Sequence, residues 1–83
     1  MDKYEKTVRR QFPAILRRYR NQIGLSQQEL ADSIEVSKGF ISALEGGRSV
    51  PNLDRLLQIA DALGVRPGEM VDALADAIEK SGG

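Results

Sequence analysis

Two helix-start signals lie close together in the middle of the chain, and little else in the sequence constrains the fold as strongly. Ser26-Gln27-Gln28-Glu29 reads as a capping box. The Ser26 hydroxyl accepts from the Glu29 amide, and the Glu29 side chain reaches back to the Ser26 amide. Leu30, Ala31 and Ile34 then share one face of a short helix. Ser37 is a second cap, followed by the inward residues Phe40, Ile41 and Leu44 and by Gly46-Gly47 as a stop. The link between the two segments is only Glu35-Val36-Ser37. Helices this short, joined by so few residues, are forced to cross at a steep angle.

The rest of the chain is also helical by period and punctuation. Val8, Phe12, Ile15, Leu16, Tyr19 and Ile23 keep one helical face ahead of this pair, with Gly24 at the end. Pro13 interrupts that face. Proline suits a first helical turn and disfavours helical geometry in the residue before it. The main helix is therefore expected over 13–22, with a separate or kinked turn over 3–11. Asn52 caps a fourth segment whose Leu53, Leu56, Leu57, Ile59, Ala60 and Leu63 form a broad apolar stripe ending at Gly64. Pro67 opens a fifth, with Glu69 near the positive end of its dipole. No stretch alternates apolar and polar residues long enough for a strand. The expectation is an all-α chain with a basic N-terminal arm or short helix over 1–12, one domain over 13–80 whose last helix spans 67–80, and a frayed tail at 81–83.

Composition narrows the chemistry. With 83 residues, no Cys and no His, the chain offers no disulfide framework, no thiolate–imidazole zinc site, no Cys nucleophile and no His acid or base. It shows no Gly-rich phosphate loop and no convergent carboxylate pair. No catalytic residue, metal ligand, cofactor or small-molecule ligand is expected. No apolar run reaches the roughly 18–20 residues that cross a bilayer, and the first residues lack an apolar signal region, so the expected compartment is the cytoplasm. The 12 basic and 12 acidic residues cancel, but they are unevenly placed. Seven basic face two acidic residues in 1–23, two face four in 24–48, and three face six in 49–83. An anionic partner would meet a basic front and not the acidic back.

The run from Leu25 to Arg48, followed by Pro51, Leu56, Ile59-Ala60 and Ala62-Leu63-Gly64-Val65, resembles the Cro and phage-repressor type of helix-turn-helix domain, the XRE family. The resemblance covers about Phe12 to Val71 and holds its spacing across four helices. It implies a compact five-helix lambda-repressor-like fold, with the helix-turn-helix at the second and third helices. The implied activity is sequence-specific binding to double-stranded DNA, usually as a dimer on a palindrome. Small phage regulators and the controller proteins of restriction–modification systems, which can activate as well as repress, have a similar profile. By the same resemblance, Gln27 contacts a phosphate, Arg48 and Ser49 form a backbone-contacting loop, and Arg20 forms a structural ion pair with Glu45; Ser37 at the cap and the basic side chain of Arg17 are further candidate phosphate contacts. Glu35 departs from the pattern, which often has Gly there. If that backbone needs a positive φ, Glu35 costs roughly 1 kcal/mol.

A recognition helix places its N-terminal residues at the base edges of the major groove. With Ile41 and Leu44 inward, Lys38, Gly39, Ser42 and Ala43 are left to the outer face. Lys38 can donate to guanine, Ser42 can take either role, Ala43 can touch a thymine methyl, and Gly39 permits close backbone approach. Such a surface has few hydrogen-bonding groups, so DNA shape is expected to contribute. The Arg9-Arg10 and Arg17-Arg18 pairs are open at this level between solvated charge and phosphate contact. Met70, Val71, Leu74, Ala75 and Ile78 share one face of the last helix and are the expected homodimer interface. A different class of function also fits the fold: an antitoxin or adaptor-type protein-interaction module docking through that stripe. A DNA-binding domain cut from a longer regulator is a third possibility.

Overall fold

The computed structural model describes residues 3–81. Its elements are α1 (Lys3–Gln22), α2 (Gln27–Ser33), α3 (Lys38–Glu45), α4 (Leu53–Leu63) and α5 (Pro67–Lys80), with no strand among the described residues. Gly82 and Gly83, the rest of the expected tail, lie outside them.

The local start signals form as the residues dictate. The Ser26–Glu29 capping box is complete, with Glu29 N donating to Ser26 Oγ at 3.0 Å and Ser26 N to Glu29 Oε1 at 2.8 Å. Ser37 Oγ accepts from Phe40 N at 3.1 Å, and Asn52 Oδ1 from Arg55 N at 2.8 Å. These bonds satisfy amide donors that have no partner inside the first turn.

The first four helices close with one motif, in which two consecutive amides turn back onto the last turn. The pairs are Gly24→Asn21 with Leu25→Arg20, Glu35→Asp32 with Val36→Ala31, Gly47→Leu44 with Arg48→Ala43, and Gly64→Asp61 with Val65→Ala60. The first residue of each pair has a positive φ: 70° at Gly24, 59° at Glu35, 76° at Gly47 and 73° at Gly64. Glu35 is the one non-glycine in this series. The turn between α2 and α3 therefore has ordinary geometry and an unfavourable residue in it.

The expected helix start at Pro13 is corrected: α1 runs unbroken from Lys3, with Pro13 inside it. Pro13 cannot donate to the Arg9 carbonyl, and an interior proline costs about 3 kcal/mol. Tertiary packing overrides this. Phe12 is buried and Val8 packs against the core, so residues on both sides of the proline are held. The loop after α3 closes over the freed carbonyl. A Cβ on Gly47 would lie 3.2 Å from Arg9 O and 3.8 Å from Pro13 Cγ.

All five helices contribute to one core. Leu16, Leu30, Ile41, Leu44, Ile59 and Met70 are its largest fully buried side chains. Two residues of the expected dimer stripe therefore belong to the monomer. Met70 is 1% exposed and Ile78 is 8% exposed. Leu74 is half-buried, while Val71 and Ala75 are exposed. The stripe is wider than one contact face. Its inner edge closes the core against α1 and α4, and only its outer edge is left to solvent.

Candidate nucleic-acid interface

The outer face of α3 follows from what its inner face buries. Ile41 and Leu44 are completely buried, which fixes the rotation of the helix. Lys38 and Gly39 are then exposed, and Ser42 and Ala43 partly exposed, on the opposite side. Phe40 sits at the edge, half-buried, with the Arg55 guanidinium 5.7 Å from its ring centroid. Arg55 also donates to Gln58 Oε1 at 2.8 Å and to the Ile34 carbonyl at 3.4 Å. It thus ties α4 to the residue just before the strained Glu35. Neither partner of the Phe40–Arg55 pair signals the other within its own helix, so only the fold reveals it.

Gly39 has no role inside the protein that demands glycine. An added Cβ would meet only Ser37 Oγ, at 3.7 Å, an ordinary contact. Glycine in a helix costs about 0.5–1 kcal/mol relative to alanine. The missing side chain leaves the exposed start of α3 open to close approach.

The C-terminal end of α3 is held by a carboxylate cluster. Glu45 is 6% exposed. It accepts from Arg20 Nε at 2.6 Å and Nη2 at 2.9 Å, and from Gln27 Nε2 at 3.1 Å. The resemblance implied the Arg20–Glu45 pair, and the two side chains do meet here, in a fork–fork arrangement. Burial pushes the Glu45 carboxyl up, but the hydrogen bonds from Arg20 and Gln27 and the charges of Arg20 and Arg17 outweigh it. The group titrates below its ordinary value. Arg20 is raised above its own ordinary value, chiefly by the hydrogen bond to Glu45 and against the effect of burial. Arg20 Nη1 also donates to Leu25 O at 2.8 Å, which ties the end of α1 into the same cluster.

The expected phosphate-contact residues divide between this cluster and the surface. The Gln27 amide nitrogen is committed to Glu45, while its backbone opens α2 alongside the last turn of α3. Arg17 is half exposed. It donates from Nη2 to Glu45 O at 3.0 Å, and its Nε lies 3.6 Å from Glu45 Oε1. The Ser37 hydroxyl is occupied as a cap. Arg48 is exposed, with its guanidinium lying over Gly46, and Ser49 is partly buried beside it. Arg18 projects outward with its guanidinium over the Tyr19 ring, 5.0 Å from the centroid. Arg9 faces the same loop as Arg48, donating to the Arg48 carbonyl at 2.9 Å. The i, i+4 row Arg9, Pro13, Arg17 was the available sequence signal for that face.

Among the described residues no cluster of carboxylates could hold a metal ion, and no helix is long and apolar enough to cross a membrane.

The helix-turn-helix family profile matches residues 16–70. An uncharacterized HTH-type transcriptional regulator from Methanothermobacter thermautotrophicus is 44% identical over 50 residues, which is 60% of this chain and 72% of that one. Among solved structures, one of the clp gene regulator ClgR from Corynebacterium glutamicum superposes with a TM-score of 0.84 at 29% identity, over 90% of this chain and 80% of that one. A second ClgR structure gives a TM-score of 0.78 at 31% identity, over 84% of this chain and 91% of that one. The matched segment contains α2, α3, the Arg20–Glu45 pair and the loop after α3, and the five-helix order is the one the motif spacing implied. The chain belongs to the helix-turn-helix family of the XRE type.

Proposed function

We propose that the chain is a DNA-binding transcriptional regulator that reads a pseudo-palindromic operator as a homodimer and represses by occupying it. The observation that carries this is the outer face of α3. It is small and exposed at Lys38-Gly39, and glycine stands where the fold would accept alanine. In this function Lys38 and Ser42 donate to base edges, Ala43 packs on a thymine methyl, and Gly39 lets the helix sit close to the groove floor. The α2 start at Gln27, the Ser37 amide end of α3, Arg17, Arg48 and Ser49 hold the flanking phosphates. Val71 and Ala75, with the half-buried Leu74, supply the dimer contact. Two α3 helices would then enter major grooves about 34 Å apart. The compartment proposed with this function is the cytoplasm.

A second function, a protein-interaction module, is favoured by a different observation. Leu53 and Leu57, one turn apart on α4, are 76% and 54% exposed.

Sedimentation equilibrium with and without a mixed-sequence DNA pool, followed by sequencing of the bound fraction, separates the two. A dimer enriching a palindrome with half-sites one helical turn apart is expected. A protein that enriches no DNA refutes regulation through DNA and turns attention to the α4 leucines.

A further inference from the structure

We propose that the N-terminal half of α1, which precedes the family-matched segment, carries an additional contact to the DNA sugar-phosphate backbone, made by Arg9 and Arg10. This rests on the DNA-binding function proposed above. The row Arg9, Pro13, Arg17 runs along α1 against the C-terminal end of α3. Arg17 donates to Glu45 O and Arg9 to Arg48 O. Gly47 permits this fit, because a Cβ there would lie 3.2 Å from Arg9 O, the carbonyl that Pro13 leaves without its helical donor. Arg9 and Arg10 line a shallow cleft with Pro13, Glu45, Gly46 and Gly47. Glu45 is the one acid among those residues, and its carboxylate is already engaged by Arg20 and Gln27.

Among the residues lining this cleft, no acid is left free to compensate the positive charge. Arg9 and Arg10 are exposed, and the Arg48 guanidinium lies over Gly46, a residue of the same cleft. Arg9 uses one of its five N–H donors on the Arg48 carbonyl, so an edge of its guanidinium fork stays available. A phosphate strand running against the loop after α3 would pass beside a guanidinium pair shaped for phosphate oxygens. The neutral chain thus gathers its basic charge where the backbone would lie.

The test is an anisotropy titration of a mixed-sequence duplex across a range of salt, for the wild type, R10Q and R9Q/R10Q, with thermal melts of each. Each lost phosphate contact is expected to lower the slope of log K against log salt by about 0.9. R10Q should therefore show a fall of about 0.9 and the double variant about twice that. Arg10 donates no hydrogen bond to the loop, so R10Q should melt with the wild type and its loss is not one of loop structure. The R9K/R10K variant should keep the slope. A wild type that binds while R10Q and R9Q/R10Q leave the slope unchanged overturns the contact and spares the proposed function. A wild type that binds no duplex at any salt overturns both.

Discussion

Replacing Arg20 with methionine tests what holds the recognition helix in place. The Arg20 side chain is 13% exposed and the Glu45 side chain 3%. Their two hydrogen bonds, at 2.6 and 2.9 Å, are the short charge-assisted kind. Methionine fills much of the same volume but leaves the Glu45 carboxylate with only Gln27 at 3.1 Å and the half-exposed Arg17 at 3.6 Å. It also leaves the Leu25 carbonyl without its side-chain donor. Breaking a buried pair in this way costs about 3–5 kcal/mol. Because Gln27 and Arg17 remain, the lower end, about 3 kcal/mol, is expected. For a domain of this size that corresponds to a fall in Tm of about 12–24 °C. Glu45→Leu alone should be similarly damaging, since it strands the Arg20 charge. The double variant Arg20→Met/Glu45→Leu, with neither charge buried, should recover most of the loss. Urea denaturation followed by far-ultraviolet circular dichroism measures all four proteins. The reasoning is refuted if Arg20→Met costs less than about 1 kcal/mol, or if the double variant is as unstable as the sum of the singles.

The same pair predicts a pH dependence with a definite sign. Glu45 titrates below its ordinary value of 4.5 in the folded protein. Its contribution is thus fully present above that value and is lost as the pH falls through the lower folded value. The gap in stability between wild type and Arg20→Met should narrow on acidification below pH 4.5. A gap that widens there contradicts the assignment.

Three further outcomes are expected. Glu35→Gly relieves a left-handed residue at a cost of about 1–2 kcal/mol, offset by roughly 0.5–1 kcal/mol of extra unfolded-state freedom. A net gain of about 0.5–1 kcal/mol in urea melts is expected, and a loss would show that the Glu35 side chain contributes more than its backbone costs. Gly39→Ala should stabilise the fold by about 0.5–1 kcal/mol while weakening binding to the enriched operator; a stabilised variant that binds as well as the wild type removes the close-approach role. Val71→Glu places a charge on a residue 46% exposed. It should leave the melt nearly unchanged and shift sedimentation equilibrium toward monomer, whereas an unchanged dimer moves the interface elsewhere.

The helix boundaries legible in the sequence are those set by groups three or four residues apart. Ser26 with Glu29, Ser37 with the Phe40 amide, Asn52 with the Arg55 amide, and the glycines at 24, 47 and 64 act through bonds whose partners are close in the chain. The strain at Glu35 was visible only as a condition on the turn, drawn from the family resemblance, whose pattern often has Gly there. The face of α3 was also legible, since two inward residues fix the rotation of a helix this short. The positions that sequence could not settle depend on burial between distant segments. Pro13 weakens its helix locally by about 3 kcal/mol, and only the packing of Val8 and Phe12 into the core carries α1 through it. Periodicity placed Met70 and Ile78 on the same stripe as Val71, but a stripe has two edges. Which edge closes the core depends on where α1 and α4 lie. Arg55 reached Phe40 and Ile34, and Arg9 reached the loop after α3, because long side chains take the partners that the tertiary fold brings to them.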